Sequence, residues 1–397
     1  MKDLVYPHER TLGIITLILG IAVWLALIIG TMGTALAGLL AGFVLYLFAQ
    51  SALIAHIRGN GVELSESQFP DLYAQFTACC TELRMEKPPQ VYIMNGNGGL
   101  NAFATRFLGT QFVVLLSDVV DAMSRHTDGV RFYIGHELGH LRMKHLSGHL
   151  LRWPALWLPL LGAAYARARE STCDRHGLAC SSSPEGAARA LAALSAGVER
   201  WQDIDVSSYR NQLSHTTGFW MSFHELLAGY PWLTKRVARV MTPDTRLPKR
   251  NPLSYLLALF VPYAGRLGAG VGFLIMVYIV AVLAAVAVPA YHNYTSKARL
   301  SHAVSSSAPI RQVLGNFFRT THQVPDSLKT AGLPSSLPDG SPLALNPGNM
   351  ALTVTTKLGE LVFVPKVNAR GHIVWYCSDG AGIKPAQLPA SCSEMGK

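Results

Sequence analysis

Three apolar runs constrain this chain more than any other feature. Residues 11–31 and 267–290 hold no charged side chain, and residues 35–56 none apart from His56 at their end. At 1.5 Å per residue, each is long enough to cross the ~30 Å hydrocarbon core of a bilayer. A backbone crossing lipid must satisfy its own polar groups, which makes these runs helices. The Met32-Gly33-Thr34 break divides the first two into a transmembrane hairpin over residues 1–56, with both ends on one side. Arg10 and Arg58 flank it, so that side is expected to be cytoplasmic. A signal peptide cleaved near Ala35-Leu36-Ala37 fits less well, because the apolar stretch is long and another follows at once. Residues 253–264 are apolar but short, with Arg266 after them. A basic flank of Lys235, Arg236, Arg239, Arg246, Lys249 and Arg250 precedes them. One crossing by residues 251–290 puts residues 57–250 and 291–397 on opposite sides of the membrane; two crossings put them on the same side.

Composition agrees with a membrane protein. Half the 397 residues are hydrophobic and 15% are charged, against about a quarter in soluble chains. The net charge of +10 sits comfortably on cytoplasmic flanks, and no basic stripe interleaved with aromatics points to nucleic acid. Six cysteines are too few for a disulfide scaffold.

Residues 136–140 read His-Glu-Leu-Gly-His. On a helix, positions i and i+4 share a face, so His136 and His140 can hold one zinc ion. Glu137 beside them can act as a base toward the attacking water. Val130, Tyr133, Ile134, Leu138 and Leu141 supply a helical pattern, and Ser147-Gly148 a stop. A second His-Glu pair at 224–225 has Ala228 where the second histidine would stand. His145 and His149 read as solvated or interfacial. A zinc peptidase needs a third protein ligand and one open position. Glu170 and Asp174 share the face of a later helix. Glu170 would ligate zinc, and Asp174 would accept the hydrogen bond from a ligand histidine's other nitrogen. The bland alternative is a charged helix surface with Arg–Glu pairs. Cys173 is a lesser candidate, read as pointing off the Glu170–Asp174 face. Residues 150–166 contain Arg152, Pro154 and Pro159 and are too few for two crossings, and a single crossing would part Glu170 from His136. They are expected on the membrane surface or against the hairpin.

With these residues in place, the chain resembles the integral-membrane zinc metallopeptidases that include the HtpX heat-shock protease and the type I CAAX prenyl protease. The resemblance covers about residues 60–245. Asn101-Ala102-Phe103-Ala104, Phe112–Asp118, His136–His140 and Glu170–Asp174 carry it. It implies zinc on His136, His140 and Glu170, with Glu137 as general base. The family's His-Pro followed by arginine appears here as Tyr230-Pro231 and Arg236. A tyrosine hydroxyl at 230 could donate to the oxyanion or could be packing. Asn101–Ala104 follows the strand Val91–Met94 and the glycine-rich loop 95–99. It reads either as an edge strand that pairs with a peptide substrate or as an internal strand.

Residues 270–397 resemble type IV pilins. The apolar segment through Pro289 continues into Tyr291, Tyr294, Lys297 and Arg299, and the chain ends with His372–Cys377 and Leu388–Cys392. That resemblance implies a Cys377–Cys392 disulfide, whose loop is worth about 3 kcal/mol on the chain-entropy model and which persists outside the cytoplasm. The glutamate that pilins carry early in the helix aligns with Gly272, and the segment is internal, which speaks against processing or polymerisation. Cys79, Cys80, Cys173 and Cys180 are expected to be reduced.

Together the resemblances imply a mainly α, membrane-anchored zincin-like (gluzincin) metalloprotease domain with a small β-sheet, and a C-terminal α+β pilin-like domain. The organisation expected is a hairpin (1–56), metallopeptidase (57–250), transmembrane segment (251–290) and pilin-like domain (291–397). The implied function is a multi-pass endopeptidase of the bacterial inner membrane, with one Zn2+, acting on protein substrates in membrane-protein quality control. Its partners would be membrane lipid and, through the pilin-like domain, other envelope proteins. The protease would face the cytoplasm and the pilin-like domain the periplasm. The alternative is a pilin-like binding or assembly protein with an inactive protease half.

Overall fold

The computed structural model describes residues 4–265, 268–368, 372–384, 387–389 and 392. Arg266 and Leu267, and Ala390 and Ser391 of the C-terminal motif, lie outside the described residues. The chain divides into two units, Met1–Val277 and Tyr278–Lys397.

The first unit begins with α1 (Glu9–Gly30) and α2 (Ala35–Asn60), joined by a turn at residues 31–34. A short strand β1 (Val62–Glu63) follows, then α3 (Pro70–Glu82), β2 (Gln90–Met94), β3 (Ala102–Phe107) and β4 (Thr110–Leu116). Next come α4 (Ser117–Ala122), α5 (Thr127–Arg142), α6 (His149–Leu156), α7 (Leu161–Cys180) and α8 (Pro184–Arg200). Helices α9 (Val206–Asn211), α10 (Phe219–Leu227), α11 (Leu233–Met241) and α12 (Pro252–Ala258) lead into the long α13 (Gly268–Ser306).

Among the described residues, three helices are long and apolar enough to cross a membrane: α1, α2 and the helical stretch that α13 begins. Helix α12 has seven residues and is only about 10 Å long, far short of a span. Among its described residues, the run from 253 to 290 therefore contains one helix of spanning length. Helix α1 lays its side on α6 and α7. Trp24 stacks on Trp153 with ring centroids 6.1 Å apart and donates from Nε1 to the Leu150 carbonyl at 2.9 Å. A Cβ on Gly20 would sit 2.2 Å from the Leu151 carbonyl oxygen, so only glycine allows this approach. Residues 149–156 thus pack on the first apolar helix.

The sheet has the order β1-β2-β4-β3, with β2 and β4 parallel and the other pairs antiparallel. Strand β4 shows why it sits between two layers. Val113 and Leu115 point into the main core with Phe76, Ile134, Leu138 and Leu191. Phe112 and Val114 point the other way, against Ile54 and Ile57 at the foot of α2. This alternation is the period-2 geometry of a strand. Strand β3 lies at the sheet edge and packs beside α5.

Helices α5 and α7 make the most intimate helix pair. A Cβ on Gly135 would lie 2.7 Å from Cys180 Sγ and 2.8 Å from the His176 carbonyl oxygen. One on Gly177 would lie 2.7 Å from the Phe132 carbonyl oxygen. Reciprocal glycines let the two backbones close to a distance that larger residues forbid, and this approach builds the site.

The second unit holds the rest of α13, then α14 (Ala308–Thr321) and an antiparallel sheet β5-β6-β7-β8. The strands are β5 (Leu343–Leu345), β6 (Leu352–Thr356), β7 (Gly359–Val367) and β8 (Ile373–Asp379). Leu300, Ala303, Ile310 and Leu314 from the helices pack on Leu352, Val354, Leu361 and Phe363. Cys377 on β8 is disulfide-bonded to Cys392. Cys79, Cys80, Cys173 and Cys180 are free thiols.

Candidate metal centre

Helix α5 carries His136 and His140, and both face α7. Glu170 Oε2 is 3.4 Å from His136 Nε2, and Oε1 is 3.7 Å from His140 Nε2. Two donors each about 2.05 Å from a common tetrahedral ion stand about 3.3 Å apart. Each histidine therefore stands from a Glu170 oxygen, a different one in each case, at close to the spacing a shared zinc ion imposes. The donor types, two imidazoles and a carboxylate, also suit zinc. Glu137 is buried on the same helix, one residue after His136.

The far nitrogen of His136 is held in turn. Its Nδ1 lies 3.1 Å from Asp174 Oδ1. Asp174 is gripped by Arg236 of α11, whose Nε donates to Oδ2 at 2.9 Å and Nη2 to Oδ1 at 2.7 Å. The family resemblance matches Arg236 to the arginine that follows the His-Pro and, with Glu137 and Tyr230, implies a catalytic part for it. Two of its nitrogens are committed to Asp174, which stands between it and His136. Tyr230 is exposed in the loop between α10 and α11.

Electrostatics follow from this packing. Burial pulls the His136 imidazole down, but hydrogen bonds to Asp174 and Glu170 outweigh it and raise it to about 10. Burial pushes the Glu170 carboxyl up, and the His136 bond outweighs it, leaving it at about 2. Asp174 resists the upward push of burial because the Arg236 charge holds it well below the carboxylate range. Burial drives His140 down to about 3, leaving it neutral and able to donate a lone pair. The His136 imidazole lies between two buried carboxylates, Glu170 and Asp174.

Two residues depart from the sequence expectation. Cys173 is not off the site: its Sγ and nitrogen atoms of His136 and His140 all lie within 4.8 Å of one another. A step of three residues turns a helix 300°, only about 60° short of a full turn, so Cys173 shares the broad face of Glu170 and Asp174. Its surroundings are those of a protonated thiol. Its Sγ lies 3.6 Å from His145 Nδ1. Burial, then the carboxylates Glu170, Glu137, Asp174 and Glu9, push its thiol well above the ordinary range.

His145 is the second departure. It is buried, not solvated, and its Nδ1 is 3.1 Å from His140 Nδ1. The cause is a local turn. Helix α5 ends at Arg142, earlier than the Ser147-Gly148 stop. Lys144 takes a left-handed conformation with φ 56°, and the His145 amide donates back to the His140 carbonyl at 2.9 Å. This is a Schellman closure, which folds His145 over the last turn. Glycine usually marks it, and lysine hides it here. His149 is exposed. Glu225 of the second His-Glu pair is buried in an ion cluster with Lys235 at 2.7 Å and Arg250 at 2.8 Å.

Strand β3 pairs Ala102 with Leu115, Phe103 with Val114 and Ala104 with Val113 of β4. Asn101 precedes it, and its carbonyl accepts from the Leu116 amide at 3.2 Å. The segment is the edge strand of the two readings left open above.

A model of peptidase family M48 matches residues 66–162. The matched stretch includes β3, β4 and His136, Glu137 and His140, and ends before Glu170. It supports a peptidase, and M48 peptidases are zinc enzymes. No curated protein matches the chain.

Proposed function

We propose that this protein is a membrane-bound zinc-dependent endopeptidase. The observation that carries the reading is the convergence of His136, His140 and Glu170, with donors 3.4 and 3.7 Å apart, beside Glu137. These three residues would hold the ion, with Asp174 and Arg236 fixing His136. Zinc, when bound, supplies a Lewis acid that lowers the pKa of the attacking water to about 7 and polarises the scissile carbonyl. Glu137 takes the proton as the water oxygen attacks the carbonyl carbon. It then gives that proton to the amine as the C–N bond breaks. Tyr230 is the donor proposed for the oxyanion, and its exposed position is compatible with meeting substrate. The free edge of β3, from Ala102 onward, would pair with an extended protein substrate, with Asn101 at its head.

The same reading places the enzyme in a bacterial inner membrane, anchored by α1, α2 and α13, with protein quality control as its role. A single crossing by α13 would put the metallopeptidase unit in the cytoplasm and residues 291–397 in the periplasm. The second unit has a helix-and-sheet core closed by Cys377–Cys392, which supports the pilin-like reading and a role in binding envelope proteins.

The test is cleavage of an unfolded protein by detergent-purified wild type and Glu137→Gln, each loaded with zinc. Cleavage by wild type and loss of at least about 100-fold in the variant is the expected result. Equal cleavage by both would overturn the mechanism. A second reading, a binding protein with an inactive protease half, draws on the tyrosine at 230. Zinc well below one per chain in purified wild type would favour it.

A further inference from the structure

The two candidate ligand histidines are supported differently. His136 leans directly on a carboxylate, Asp174. His140 leans on His145, and His145 Nε2 lies 2.9 Å from Glu9 Oε1. Glu9 is the first residue of α1, the first membrane-spanning helix, and lies 136 residues from His145. It is only 5% exposed, and its other oxygen accepts from the hydroxyl of Thr172, on the helix that carries Glu170. The segment before it is tied to the same helix. The Tyr6 amide donates to Thr172 Oγ1 at 2.8 Å, and Arg175 Nη1 donates to the Val5 carbonyl at 2.9 Å.

Hydrogen-bond logic fixes one set of proton positions. His140 Nε2 faces Glu170 and must present its lone pair to an ion there. Its proton is then on Nδ1 and is donated to His145 Nδ1. His145 must therefore carry its own proton on Nε2, and donates it to Glu9. A buried carboxylate is the acceptor that closes such a chain, just as Asp174 closes the shorter one.

We propose that Glu9 is a positioning residue for the metal centre: through His145 it orients His140, so that the site is complete only when α1 is docked on α7. The inference rests on the zinc-peptidase reading and deepens it. It makes the seating of a membrane helix a condition for metal binding.

The experiment measures zinc affinity of the detergent-purified, metal-free full chain by competition with a chromophoric chelator. Outer-shell substitutions beside a zinc ligand cost about 10- to 100-fold in affinity. Glu9→Ala and His145→Gln are each expected to weaken zinc by that factor. The double variant should be no weaker than either single one, because both break one path. Trp24→Phe, which removes only the hydrogen bond to the Leu150 carbonyl before Trp153 on α6 and leaves α1 seated on α7, should stay within about twofold of wild type. Wild-type affinity in Glu9→Ala would overturn the proposal, and so would equal losses in Glu9→Ala and Trp24→Phe, or additive losses in the double variant. Should Glu9→Ala fail to fold, His145→Gln decides: an unchanged affinity overturns the proposal, and the stated loss supports it. If wild type itself binds no zinc, the zinc-peptidase reading falls and this inference with it.

Discussion

At the residue scale, the site is a set of charges that cannot stand alone in a buried place. Asp174 serves His136 on one side and Arg236 on the other. Asp174→Asn keeps an acceptor but removes the charge that both partners need. Zinc affinity should fall about 10- to 100-fold, measured by the same chelator competition. Glu225 shows the same rule with no catalytic part. Burial pushes its carboxyl up, but bonds from Arg250 and Lys235 outweigh this and leave it below its ordinary value. Such a group stabilises the fold above the unfolded carboxyl value of about 4.3, and that stability is lost as pH falls through the folded value. Glu225→Gln strands the buried Lys235 and should cost about 3–5 kcal/mol in urea unfolding at pH 7. The gap to wild type should narrow as pH drops below about 4, and a gap that stays constant with pH would count against this account.

At the element scale, helix approach decides geometry. The donors on α5 and α7 meet because Gly135 and Gly177 let the two backbones close. Gly135→Ala places a methyl against the His176 carbonyl oxygen and should destabilise by about 1–3 kcal/mol. Since the same shift parts His136 from Glu170, zinc affinity should fall along with the melting temperature. A variant that loses stability but keeps wild-type affinity would separate packing from the site. Helix α1 meets α6 in the same way at Gly20.

At the scale of the whole molecule, the two units have separate cores and separate stabilising devices. The Cys377–Cys392 bond spans 15 residues in the second unit. Its reduction should lower that unit's stability by about 3 kcal/mol, read as a shift in its own unfolding step. Zinc stoichiometry should not change, because the proposed metal donors all lie in the first unit. A loss of zinc on reduction would show that the units are coupled.

What the residues announced by themselves was periodic and local. Uncharged runs longer than a bilayer's core must be helices in lipid, whatever surrounds them. His136 and His140, or Glu170 and Asp174, share a face because a helix turns 100° per residue. The placing of α5 and α7 against each other was legible only as a requirement of the chemistry. The remainder depended on packing between distant segments. Whether Ala102–Ala104 lies at an edge is settled by which strands pair, and no spacing encodes that. Cys173 is near the histidines because of the side from which α5 approaches α7. His145 joins His140 through a left-handed lysine, a conformation with little sequence signature. Its partner Glu9 arrives from the far end of the unit, where a single acidic residue before an apolar run reads as a membrane flank. Local spacing determines which faces exist; only tertiary packing determines which of them meet.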